Sequence, residues 1–126
     1  MLVDDGTAAE ELAAALRDAG IEAERRSGAS DSPSRPGGVR GLAAEILAFE
    51  RLLESRRPDA ILLASDGDPA VAAAIVATKL RVPVATFADR DRAGLEGEVN
   101  RTLLRALADA RLADDPQAAV SWVTGT

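Results

Sequence analysis

The 126-residue sequence has no cysteine, no histidine and no tyrosine, one methionine, one tryptophan and two phenylalanines. Without cysteine there is no disulfide framework and no thiolate nucleophile, and nothing positive is said about redox compartment. Lacking His as well, the chain cannot assemble a Ser-His or Cys-His pair or a typical zinc site, so no metal is expected. Any acid or base must come from Asp, Glu or the single Lys79. A lone carboxylate can serve when burial or a neighbour moves its pKa toward working pH. Aromatics are only 2% and the formal net charge is −6. With no basic surplus to neutralise phosphates and almost no rings to stack on bases, nucleic acid is excluded as a partner. There is no run of 18 apolar residues, no basic amphipathic helix and no basic segment leading an apolar signal core. No membrane partner is therefore expected, and the expectation is a soluble, cytoplasmic chain.

The 47% hydrophobic content is supplied mainly by Ala, Leu, Val and Ile, over a length that suits one domain with a real core. Residues 1 to 4 make a short strand. From Thr7, the recurrence of Ala8, Leu12, Ala15, Leu16 and Ala19 predicts a helix that Gly20 stops. IEAER, 21 to 25, alternates as a strand with one wet face. SGASDSPSRPGG, 27 to 38, is a loop by composition, either a lid or a solvated connection. A second helix is predicted from Val39 to Arg56, followed by DAILLA, 59 to 64, an apolar run typical of a strand covered on both faces. SDGD, 65 to 68, turns the chain into a helix through Leu80. VPVATF, 82 to 87, is a strand, and residues 96 to 109 a helix with Val99, Leu103, Leu107 and Ala110 on its apolar side. ARLAD, 110 to 114, is a short strand, followed by a weak helical turn and VSWVT. This alternation predicts an α/β fold. The expected architecture is a single three-layer αβα Rossmann-like domain with a mostly parallel sheet of about five strands in the order 2-1-3-4-5.

In such sheets ligands sit at the carboxyl ends of the strands. Three loops occupy that rim: DDGT at 4 to 7, SDGD at 65 to 68, and FADRDRAGLEGE at 87 to 98. Asp68 before Pro69 reads as a helix N-cap, with Asp66 beside it as a rim carboxylate. Asp4 to Thr7 reads as a strand end and helix cap; two acids make it a poor phosphate binder. Glu98 and Arg101 are three apart on one helix and can meet in a surface ion pair. Asn100 reads as a polar surface residue, and the Arg101–Arg105 stripe as a solvated face. Trp122 is expected to close the core or a partner contact. The small residues of DPAVAAAIVATKL suit either a subunit contact or an ordinary core helix.

Taken together, RPDAILLASDGDPAVAAAIVATKLRVPV and GEVNRTLLRALADARLADDP resemble the N-terminal domain of bacterial UDP-N-acetylglucosamine 2-epimerases. The family's pattern has a Pro-Asp strand, a GDTTT-like turn, an Ala-rich helix, an I-P-V strand ending in HVEAGLR, and PEE-x-NR opening the next helix. GTAAEELAAALRDAGIE is similar to its GTRPE loop and first helix. The resemblance spans roughly residues 6 to 115 and implies a GT-B architecture, in which two Rossmann-like domains close over a UDP-sugar. The family removes the C2 proton, eliminates UDP and re-adds it on the other face. Position by position, the resemblance implies catalytic roles for Asp66, Glu98 and Arg101 and substrate contacts for Gly6, Thr7, Arg92 and Asn100, with no cofactor.

The match breaks where the chemistry lies. Thr86 stands for the His of HVEAGLR, Ala88 for its glutamate, Gly97 for the first glutamate of PEE-x-NR, and Ala8 for the arginine of GTRPE. Alanine and glycine cannot exchange protons, and loss of one such group typically costs about 10²–10⁴-fold in rate. The family's C-terminal domain, which supplies most UDP contacts, has no counterpart in this sequence. Two expectations follow. One is a catalytically incompetent epimerase-like domain acting as a binding or assembly subunit, holding UDP-sugar weakly when alone and pairing as a homo-oligomer or with a C-domain-bearing protein. The other is half of a split UDP-sugar epimerase or glycosyltransferase, active with such a partner and needing Asp66 and Glu98 to converge. An orphan domain with an unrelated ligand is a third.

Overall fold

The computed structural model of the chain describes residues 1–4, 9–29, 38–87 and 95–125. Strands and helices alternate: β1 (Leu2–Val3), α1 (Glu10–Asp18), β2 (Arg25–Arg26), α2 (Val39–Arg56), β3 (Ile61–Leu63), α3 (Asp68–Leu80), β4 (Val84–Phe87), α4 (Leu95–Leu107), β5 (Ala110–Leu112) and α5 (Pro116–Thr124). The five strands form one sheet in the order β2-β1-β3-β4-β5, with every pairing parallel. Both the α/β class and the strand order agree with the expectation from sequence. Register aligns Leu2 with Leu62 and Leu63 with Thr86.

The three central strands, β1, β3 and β4, are buried at every position because successive side chains point to opposite faces and both faces are covered, whereas the edge strands β2 and β5 carry Arg25, Arg26 and Arg111. Val3, Ile61, Leu63 and Val84 point to a layer formed by Phe49 and Leu53 of α2, the length of α3, and Leu104 of α4. Leu2, Leu62, Ala85 and Phe87 point the other way, to Leu12 and Leu16 of α1 and Ala119 of α5. Helix α3 lies centrally between α2 and α4, with Ala70, Val71, Ala72, Ala73, Ala74, Val76 and Ala77 all buried. Its small side chains are thus consumed inside the domain, as those of an ordinary core helix.

The structure departs from the expected elements in several places. β2 is confined to Arg25–Arg26, not 21 to 25: the Ile21 amide donates to Leu16 O at 2.9 Å and closes α1, and Ile21 and Ala23 pack beside the α1/α5 cluster. α3 is capped by Gly67, not Asp68, which becomes its first residue; Gly67 offers no side-chain cap. VSWVT lies within α5, which Asp115 caps by accepting the Gln117 amide at 3.0 Å. On α4, Val99 and Leu103 are 51% and 40% exposed, whereas Leu104 is buried and Leu107 and Ala108 flank the core. The inward stripe runs through Gly97, Asn100 and Leu104. A polar Asn in that stripe disguises it, while Val99 and Leu103 share the same i, i+4 spacing on the wet side.

Candidate functional site

At the carboxyl edge of the sheet, β3 runs through Ala64 into the turn that opens α3, and α4 packs beside α3. The turn and α4 are joined through the side chains of Asn100 and Arg101 on α4 and of Asp66 and Asp68 in the turn. Asn100 is 8% exposed. Its Nδ2 donates to the Asp66 carbonyl at 2.8 Å and to Asp68 Oδ1 at 3.3 Å. One residue on, Arg101 Nη1 lies 3.5 Å from Asp66 Oδ2, in side chains that are 26% and 13% exposed. Asp66 Oδ2 is buried and accepts no hydrogen bond among the described residues. The result is a carboxylate and guanidinium side by side at a strand end, the Asp held through its backbone carbonyl and its inner oxygen 3.5 Å from the cation. Such a pair can bind the polar groups of a ligand, the Arg taking an anion or acceptor and the Asp a hydroxyl or N–H.

The other expected site residues behave differently. Glu98 is exposed, and among the described residues no ion pair or side-chain hydrogen bond joins it to Arg101 or to Asp66. The expected Glu98–Arg101 surface pair is replaced by the inter-element pair of Arg101 with Asp66. Asn100, expected on the surface, is buried with its amide committed to the β3–α3 turn. Gly97 is buried at the start of α4, and Thr86 is buried in β4. Gly6, Thr7, Ala8, Ala88 and Arg92 lie outside the described residues. The signal that would have revealed Asn100's place is its register: it is three after Gly97 and four before Leu104, on the small-and-apolar stripe.

Next to this site, Asp4 ends β1 as a buried carboxylate that accepts from Arg25 Nε at 3.1 Å, while Arg25 Nη1 reaches Glu10 Oε1 at 3.0 Å. These bonds, to Glu10 first and then Asp4, raise the guanidinium's pKa above its already high ordinary value. The cluster ties β1, β2 and the first turn of α1 together. At the opposite, amino edge of the sheet a cavity of about 600 Å³ is lined by Met1, Leu16, Glu24, Arg56, Asp59 and Val123 among others. There the Met1 ammonium donates to Ala60 O at 2.9 Å, and burial holds its pKa below the ordinary value against the pull of Glu24 and Asp59. Among the described residues no cluster of three or more acidic side chains is arranged to hold a metal ion, and no helix is long and apolar enough to cross a membrane.

The fold and the rim together define an open parallel α/β domain of the Rossmann-like class. No protein-family model and no curated protein sequence matches the chain. Among solved structures it is similar to UDP-N-acetylglucosamine 2-epimerase from Rickettsia bellii, with 19% identity over 98% of this chain and 33% of that one and a TM-score of 0.57. It is likewise similar to the Neisseria meningitidis enzyme bound to UDP-GlcNAc, at 21% identity over 95% of this chain and 34% of that one, TM-score 0.58. The Methanocaldococcus jannaschii enzyme in complex with UDP-GlcNAc and UDP matches at 17% identity over 98% of this chain and 34% of that one, TM-score 0.56. The chain therefore shares its fold with part of these epimerases and spans about a third of their length.

Proposed function

We propose that this chain is a UDP-N-acetylglucosamine 2-epimerase-like domain that receives a UDP-sugar at its carboxyl rim and does not itself epimerise it, acting as a binding or assembly subunit. The observation that carries this reading is the Asp66–Arg101 pair, held at the strand ends of a fold shared with epimerases solved with UDP-GlcNAc. The pair supplies one carboxylate and one cation at the rim. Two proton carriers on opposite faces of the sugar carbon are what inversion needs, and Ala88 and Gly97 occupy the positions where the family pattern has glutamates. Glu98, exposed and unlinked to Asp66, lends no support to the split-enzyme reading. Isolated, the domain offers one wall of a cleft, so affinity for UDP-GlcNAc is expected to be weak, and a self-associated or partner-bound form to be the working one.

The test is a titration of ¹⁵N-labelled chain with UDP-GlcNAc and UDP. Shifts centred on the amides of Asp66 to Asp68 and of Asn100 and Arg101, with a Kd well above micromolar, are expected. No perturbation at millimolar ligand, or perturbation confined to the amino-edge cavity, sinks the reading. Light scattering on the same sample checks the assembly role, which a strictly monomeric chain that co-purifies with nothing overturns.

A further inference from the structure

We infer that Asn100 is a positioning residue for Asp66, acting on the turn's backbone and not on the ligand. The inference rests on the reading of the rim as a ligand site but makes a separate claim about how that site is kept in shape. Asn100 is 8% exposed and its amide nitrogen, which has two donors, spends them on Asp66 O and Asp68 Oδ1. Those acceptors straddle Gly67, the extended residue that caps α3 without a side-chain bond of its own. The turn that opens α3 is thus gripped from outside: the Asn100 amide on α4 donates to an acceptor on either side of Gly67. Because Arg101 follows directly on α4, the helix that grips the Asp66 backbone also delivers the cation to the Asp66 carboxylate. Moving α4 relative to the turn moves both contacts together, so the spacing of Asp66 and Arg101 is set by Asn100. A ligand contact from the same amide would require breaking a 2.8 Å bond to a carbonyl that has no other described donor.

The test uses the whole chain with Asn100→Leu, which keeps the branching at Cγ and removes the donor, and Asn100→Asp, which keeps the shape and replaces the donor by a charge. Far-UV circular dichroism establishes that each is folded. In the unliganded protein, the amide resonances of Asp66, Gly67 and Asp68 are expected to move in both variants. The Ala70 and Val71 amides, which donate to Gly67 O, should exchange about tenfold faster, beyond any change at Leu62, whose amide donates to Met1 O. Unchanged resonances and exchange in that turn overturn the inference whether or not a UDP-sugar binds. If parent chain binds UDP-GlcNAc, Asn100→Leu should weaken it about tenfold, and combining it with Asp66→Ala should cost less than the product of the two separate losses. Losses that multiply, with an unaltered turn, make Asn100 a direct ligand contact and refute positioning while leaving the ligand reading intact. Parent chain that binds no UDP-sugar refutes the ligand reading alone, and the exchange measurement still decides the role of Asn100.

Discussion

Replacing Arg101 with Met is expected to destabilise the chain by about 2 kcal/mol, whereas Asp66→Asn costs only about 0.5 kcal/mol. The asymmetry comes from where the two charges sit. At 3.5 Å and an effective dielectric of about 20, their gross attraction is about 5 kcal/mol. Partial exposure, 26% for Arg101 and 13% for Asp66, brings screening and side-chain entropy that reduce the usable part to about 1–3 kcal/mol. Asp66 Oδ2 is buried and takes no hydrogen bond from the described residues, so removing the cation leaves that oxygen with its charge uncompensated. Removing the carboxylate charge instead leaves Arg101, the more exposed partner, able to turn to water. Methionine keeps most of the arginine's aliphatic stem, which isolates the charge from the packing. Urea unfolding of both single variants and the double variant, followed by circular dichroism with m-values compared, gives the cycle. Equal losses, a larger loss for Asp66→Asn, or a coupling energy near zero would show that the two groups do not depend on each other and would remove the basis for treating them as one site.

Three further outcomes are expected. On α4, Leu104→Ala should cost about 3 kcal/mol, while Leu103→Lys and Val99→Glu stay within about 0.5 kcal/mol, by thermal or urea unfolding; a Leu103 loss matching that of Leu104 would mean the helix faces the other way. Gly28→Ala places a Cβ 3.0 Å from Glu45 Oε1, on a buried carboxylate whose Oε2 accepts the Ala29 amide at 2.8 Å. Since Gly28 is not among the positive-φ residues, the backbone gains about 0.4–1 kcal/mol from the change, and the crowding with the strained hydrogen bond outweighs it for a net loss of about 1–2 kcal/mol. A more stable Gly28→Ala chain would contradict that weighing. Burial depresses the Met1 ammonium's pKa in the folded chain, so its contribution is fully present above the unfolded value near 8 and declines as pH falls through the lower folded value. The urea midpoint should therefore rise between pH 6.5 and 8.5 by an increment that N-terminal acetylation removes, and an identical pH profile for the acetylated chain would refute it.

The layered architecture was legible in the sequence because it depends on patterns that span whole elements. ILL and VATF are apolar at consecutive positions since helices cover both faces, and the helix from Val39 to Arg56 has the bounds its periodicity predicts. Resemblance to the epimerases rested on ordered spacing, and the shared fold agrees with it. What was not legible depends on pairings between distant elements. Asn100 reads as surface because Asn is polar, yet its donors are absorbed 32 and 34 residues away. Arg101 reads as the partner of Glu98 because three residues separate them, but Asp66 competes from another loop and is less exposed. Asp68 reads as a cap because Asp before Pro usually is one, but its carboxylate accepts from Asn100 instead. The alternation of IEAER points to 21 to 25 for β2, and the strand falls at Arg25–Arg26 because an edge strand of two residues leaves little alternation to read.

The scarcity of aromatic rings has an optical consequence. Trp122 is half-buried near the end of α5, packed on the Leu2, Leu12 and Leu16 side of the sheet, beside Val123, which lines the amino-edge cavity. The Asp66–Arg101 pair belongs to the other edge and to the α3/α4 layer. Tryptophan emission from this chain is thus a reporter of one layer only, and the layer carrying the rim site is dark. A fluorescence titration that stays flat would say nothing about the rim. An unfolding curve read by emission and one read by circular dichroism would coincide only if the two layers melt as a single cooperative unit.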